Sequence, residues 1–177
     1  MMPIGPLMIE HRLIEKMVHL LQRELDSINS GAAPRYSFLR DTVDFLENYA
    51  DRCHHGKEED ILFRELAKKR MPSELATIMA ELMAEHGMAR ANVSRLSAAV
   101  DSGMRGIPRL EELKAAAAFL VDAYPRHILK EDKRFFIPCM SMLNAAEQER
   151  MLRESYDFDM RLVHERYGKM VKGYEAI

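Results

Sequence analysis

The sequence predicts an all-α fold: a four-helix bundle made of two repeated helix pairs, with a fifth helix at the C-terminus. Three observations predict it. Apolar residues recur at steps of three and four along most of the chain, and no strand-like alternation interrupts them. Two segments carry one motif: His54-His55-Gly56-Lys57-Glu58-Glu59 ending in Leu62-Phe63, and His127-Ile128-Leu129-Lys130-Glu131-Asp132 ending in Phe135-Phe136. Upstream of each lies a Glu-His pair, Glu10-His11 and Glu85-His86, so the helix pair recurs about 75 residues on.

The elements follow in order. Helix one carries His11, Ile14, Val18, Leu21, Leu25 and Ile28 on one stripe and stops at Asn29-Ser30-Gly31, with Pro34 beyond. Helix two runs from about Tyr36 to Lys69, with Leu39, Val43, Leu46, Ala50, His54 and Glu58 facing inward. Met71-Pro72-Ser73 closes it and opens helix three, whose stripe is Leu75, Met79, Leu82, His86, Ala89, Val93, Leu96 and Val100. Gly103 to Pro108 form the next loop. Helix four runs from about Arg109 through Phe136, with Leu113, Ala117, Leu120, Tyr124, His127, Glu131 and Phe135 inward. Pro125 inside it removes a backbone donor and should bend or locally unwind it. A fifth helical stretch from Ala145 to about Tyr174 is amphipathic through Met151, Phe158, Leu162 and Met170. It falls outside the repeat and reads as a helix packed on the bundle or as an oligomer contact, which allows for a homodimer. Residues 1–177 are thus expected to form one domain, with the bundle at about 6–140 and the added helix at about 145–175.

Composition narrows the function. At 177 residues, with 47% hydrophobic and 31% charged residues, the chain has the balance of a globular domain able to bury a core. A net charge of −2 without a basic stripe argues against nucleic acid as a partner. No apolar run approaches the roughly 20 residues of a membrane span. The start, Met1-Met2-Pro3-Ile4-Gly5, lacks the basic and apolar regions of a signal peptide, which points to the cytoplasm. Cys53 and Cys139 have no zinc-motif spacing and read as small buried residues.

The chemistry lies in the histidines. On a helix, residues i and i+4 sit about 40° apart at ~100° per residue, so each His-x-x-x-Glu motif aims an imidazole and a carboxylate at one point. His11, His54, His86 and His127, with Glu58 and Glu131, all fall within apolar stripes. Uncompensated carboxylates in a core are expensive, and cations would collect them. The pattern therefore predicts a binuclear metal site, with Glu58 and Glu131 bridging and the four imidazoles as terminal ligands. An imidazole–carboxylate set suits iron, manganese or zinc, and the absence of thiolate disfavours an iron–sulfur cluster. Glu15, four residues after His11, is a further ligand candidate; its alternative reading is a solvated helix glutamate. His55 lies ~100° from His54 and should not share the inward face, although a His55/Glu59 register competes with His54/Glu58. His19 and His164 read as edge or surface residues, and Lys57 and Lys130 as solvated or paired with nearby acids.

These residues resemble the hemerythrin-like proteins of the HHE cation-binding domain family. The match is carried by Glu10-His11, His54-x-x-x-Glu58, Glu85-His86 and His127-x-x-x-Glu131 with Phe136-Ile137-Pro138 after it, over about residues 7 to 140. The resemblance implies an up-down four-helix bundle holding two iron ions in an oxo- or hydroxo-bridged, non-haem centre. It implies binding of, or reaction with, dioxygen, nitric oxide or peroxide in sensing, scavenging or stress response. The alternatives are iron storage, delivery or repair of iron centres, and a peroxidase or nitric oxide reductase-type enzyme on the same centre. The oxygen-carrying members supply five histidines, two of them four residues apart on the third helix. Here the position four after His86 is Arg90, so the sequence reads as a four-histidine variant with more open coordination and a more reactive centre.

Overall fold

The computed structural model describes residues 2–159 and 161–176, except for the side chains of 161–163 and 165. Six helices account for its secondary structure, and no strand occurs among the described residues. Helix α1 is Ile4–Asn29. Its last turn leads through Ser30 to Gly31 at φ +95°, the left-handed conformation that stops a helix and that glycine adopts without penalty. Helix α2, residues 36–66, is continuous but not uniform. It begins as α-helix over Tyr36–Phe45, widens to π-helix over Leu46–His55 and Glu58–Phe63, and ends with Arg64–Leu66. Helix α3 is Ser73–Met104. Helix α4, residues 110–140, joins Leu110–Lys130, a π-helical turn Glu131–Phe135 and Phe136–Met140. Pro125 sits inside the regular part, and the widened turn comes at the second motif instead.

The four helices alternate in direction. Glu24 pairs with Arg35 and Glu10 with His54 between α1 and α2; Asp51 pairs with Arg90 and Glu59 with His86 between α2 and α3; Glu74 pairs with Arg134 and Glu85 with His127 between α3 and α4. Residue numbers rise on one helix as they fall on its neighbour, which is the up-down antiparallel bundle that the family resemblance implies.

The single fifth helix is revised to two. Helix α5, Ala145–Phe158, starts from a capping box in which Asn144 and Glu147 each accept the other's backbone N–H. It ends at Asp159, whose backbone is extended, and α6 follows over Arg161–Glu175. Tyr167 and Val171 of α6 are buried against α1 and α2, so this segment packs on its own chain. Leu162, which the stripe included, lies outside the described side chains.

Two apolar clusters fill the bundle. One, nearer the α2–α3 and α1–α6 contacts, includes Ile14, Leu21, Leu39, Phe45, Val93, Leu96 and Leu120. The other includes Leu7, Ile61, Phe63, Leu82, Phe135, Phe136 and Leu143. Each buried Leu, Ile or Phe contributes roughly 1.5–3 kcal/mol, so these clusters form the scaffold. Between them runs one polar layer: His11, His54, His55, Glu58, His86, His127 and Glu131, all buried.

Candidate metal centre

Four helices contribute to this layer. His11 comes from α1, His54, His55 and Glu58 from α2, His86 from α3, and His127 and Glu131 from α4. The two carboxylates lie between two sets of imidazoles. Glu58 turns Oε1 to His54 Nε2 and Oε2 to His86 Nε2, each at 3.4 Å. Glu131 turns Oε2 to His11 Nε2 at 3.1 Å and Oε1 to His127 Nε2 at 3.3 Å. Donor atoms of His11, His54, Glu58 and Glu131 lie within 4.8 Å of one another, as do those of His55, Glu58, His86 and His127. Glu58 belongs to both groups.

The outward nitrogens explain this orientation. Every imidazole donates its Nδ1–H to a carboxylate: His11 to Asp132 at 2.8 Å, His54 to Glu10 at 2.8 Å, His55 to Asp51 at 3.2 Å, His86 to Glu59 at 2.6 Å and His127 to Glu85 at 2.8 Å. A carboxylate can only accept, so each Nδ1 carries a proton and each Nε2 is turned inward. Nε2 of His86 and Nε2 of His127 lie 3.2 Å apart in a hydrogen bond, so in the metal-free layer one of these two nitrogens carries a proton as well. The repeat is visible here. Glu10 and Glu85 brace the imidazole on the next helix, and Glu59 and Asp132 brace the histidines of the Glu-His pairs. Below them, Phe136 stacks on His11 and Phe63 on His86, with ring centroids 5.6 and 6.1 Å apart.

The sequence-predicted six, His11, His54, Glu58, His86, His127 and Glu131, are brought together. Two readings are corrected. Glu15 is not part of the layer: its side chain is 39% exposed and pairs with Arg12, because the turn after His11 carries it round to the surface. His55 is inside, 2% exposed, with its ring stacked on His86 at a centroid distance of 3.9 Å. The reading that excluded it assumed α-helical turns. The π-helical stretch Leu46–His55 opens the turn and lets two consecutive histidines face the layer, one on each side of Glu58. The centre thus gathers five imidazoles, and the extra open coordination inferred from a missing fifth histidine loses its ground. Arg90, at the position where that histidine was sought, instead binds Asp51 at 2.7 Å and Glu59 at 2.8 Å, the braces of His55 and His86.

The sequence reading also missed the five bracing carboxylates as a set. Their signal was present: Glu10 and Glu85 precede the first histidine of each pair, and Glu59 and Asp132 follow the motif glutamates. His164 is not merely superficial. It hydrogen-bonds Tyr49 at 3.0 Å and Asp159, and lies 3.6 Å from Glu10. Lys57 is buried and paired to Glu10, whereas its repeat mate Lys130 is partly exposed and binds Glu81 and Glu85.

The buried groups of the layer strongly shift one another's proton affinity. Burial and the adjoining Glu131 push Glu58 well above the usual carboxylate range. Burial would raise Glu131 too, but the imidazoles of His127 and His11 hold it well below. Burial, reinforced by His55 and His127, pushes His86 down to about 3. Burial likewise takes His55 to about 4 against the pull of Asp51. His127 goes the other way, to about 9, because Glu131 and Glu85 outweigh its burial. Groups this close cannot all adopt their ordinary charge, so protons are shared among them.

Both oxygens of Glu58, both of Glu131 and Nε2 of His11 are buried without a hydrogen-bond partner among the described residues. An unsatisfied buried polar group costs about 1–3 kcal/mol, and more if charged. Two cations placed between the carboxylates and the imidazoles would satisfy these atoms, so the residues fit a binuclear centre. The family model described as the hemerythrin HHE cation binding domain matches residues 2–137. No curated protein matches the chain.

Proposed function

The chain belongs to the hemerythrin HHE cation-binding domain family, and from this premise we propose that it holds two iron ions in the polar layer and binds dioxygen or nitric oxide there. His11 and His54 would hold one ion, and His55, His86 and His127 the other, with Glu58 and Glu131 shared. The observation that carries the reading is the arrangement of these two glutamates. Each points one oxygen at either imidazole set, and none of the four oxygens has a hydrogen-bond donor.

Imidazole and carboxylate donors suit iron, and manganese or zinc would also be accepted by them. Bound iron supplies redox-active coordination positions for a small ligand. The protein's part is to place that chemistry. The braces fix the imidazoles, and Phe136 and Phe63 pack against the rings of His11 and His86. The donor set is unequal, two imidazoles against three, so an ion held by His11 and His54 would have fewer protein ligands and would be the one to take a small ligand. By repeat symmetry Ile128 stands where a counterpart of His55 would be, and it offers no donor atom.

Metal analysis of protein produced with ample iron, joined to optical spectra of the reduced form under nitric oxide and under air, tests this. Two irons per chain and distinct spectral changes with nitric oxide are expected. Fewer than two metals of any kind per chain with all seven donor residues intact overturns the binuclear reading, and two zinc or manganese ions with no spectral response overturns iron and gas binding.

A further inference from the structure

Because the two helix pairs are copies, each groove on the bundle has a mate. The groove between α1 and α2, behind His54, is filled by the chain itself. Asp159 lies 3.5 Å from the ammonium of Lys57 and accepts from the thiol of Cys53, and His164 bonds Tyr49. Phe158 lies against Gly56 so closely that a Cβ at that position would come within 2.9 Å of its ring. All of these covering residues lie beyond residue 137, where the family match ends.

The mate of this groove, between α3 and α4 behind His127, has no such cover among the described residues. It is a cavity of about 370 Å³. Its floor is His86, His127 and His55, and its walls include Met88, Phe119 and Ala123. Ala123 is the repeat mate of Ala50, which is fully buried. The charges at the mouth are already matched: Arg126 to Asp122, and Lys130 to Glu81 at 2.8 Å and Glu85 at 2.6 Å. A volume near 300–1,000 Å³ is that of organic-ligand pockets, and a water occupies only about 30 Å³. A diatomic gas therefore does not account for its size, and the charged groups at its mouth already have partners of opposite sign on the protein.

We propose that this cavity is a binding site for a small, uncharged, mainly apolar organic molecule, seated against the rings of His86 and His127. The proposal stands on the cavity and its closed mate and does not depend on which metal, if any, occupies the layer. Isothermal titration of the full-length protein as purified, with indole as probe, tests it. Benzoate and benzamidine serve as charged molecules of similar size. Indole is expected to bind once per chain with a Kd of about 1 mM or tighter, and the charged probes at least tenfold more weakly. Ala123→Phe fills the cavity and should abolish indole binding while metal content and helicity stay unchanged. Met88→Glu, at a partly exposed wall position where folding is not at stake, should weaken indole at least tenfold. Absence of saturable indole binding, equal binding of benzoate or benzamidine, or binding unaffected by Met88→Glu overturns the proposal.

Discussion

Replacing His55 with alanine discriminates between the helix register read from sequence and the one the structure adopts. His55 is 2% exposed, stacks on His86 at 3.9 Å, donates to Asp51 and shares a potential coordination sphere with Glu58, His86 and His127. Loss of a group that merely braces a metal-binding imidazole weakens metal affinity about 10–100-fold, roughly 1.4–2.7 kcal/mol. Loss of the imidazole itself should cost at least that on the three-histidine side. Truncating a buried side chain of this size also removes about 2–4 kcal/mol of packing. At roughly 2–4 °C per kcal/mol for a chain of this length, the melting temperature should fall by about 5–15 °C. The assay is metal per chain after dialysis against a graded chelator series, with thermal melting in parallel. His55→Ala should lose one metal at lower chelator strength than the parent protein, and His54→Ala should lose the other. If His55→Ala keeps both metals with unchanged chelator resistance, His55 is only packed against the centre, and the five-imidazole arrangement is refuted.

Further outcomes follow from the same geometry. Arg90→Ala releases the braces of His55 and His86 together, so metal affinity on that side should fall about 10–100-fold, measured by chelator competition; an unchanged affinity would show that Asp51 and Glu59 hold the rings unaided. Glu15→Gln should leave metal content unaltered, because Glu15 pairs with Arg12 away from the layer, and loss of metal in this variant would contradict that placement. Metal removal should lower the melting temperature, since it strands the four glutamate oxygens; identical melting of the stripped and loaded protein at one pH would refute a metal-organised layer. In the metal-free protein, His55 and His86, at about 4 and about 3, contribute stability that is full above the ordinary 6.5 and lost progressively as pH falls from there to about 4 and about 3. His127, at about 9, contributes stability that is full below 6.5 and lost as pH rises to 9. The stripped protein should therefore melt highest near neutrality, and a melting temperature that stays flat on both sides of neutral pH would contradict these shifts.

The sequence by itself determined the bundle and most of the site. Stripes at three-four spacing place His11, His54, His86 and His127 among leucines and valines, and the i, i+4 geometry puts Glu58 and Glu131 on the same faces. Local periodicity suffices for this because each residue's direction depends on its position along one helix. What periodicity could not supply was a change in the helix itself. The π-helical stretch before Gly56 turns His55 inward, and no spacing rule based on ~100° per residue can register it. The braces were hidden for a related reason: Glu10 serves His54 and Glu59 serves His86, and such pairings between helices exist only once the bundle is assembled. The C-terminal segment shows the same division. Its amphipathic pattern announced a helix outside the repeat, but only packing decided that it breaks at Asp159 and sets Asp159 and His164 behind one motif. Among the described residues, no such segment lies over the mate of that groove.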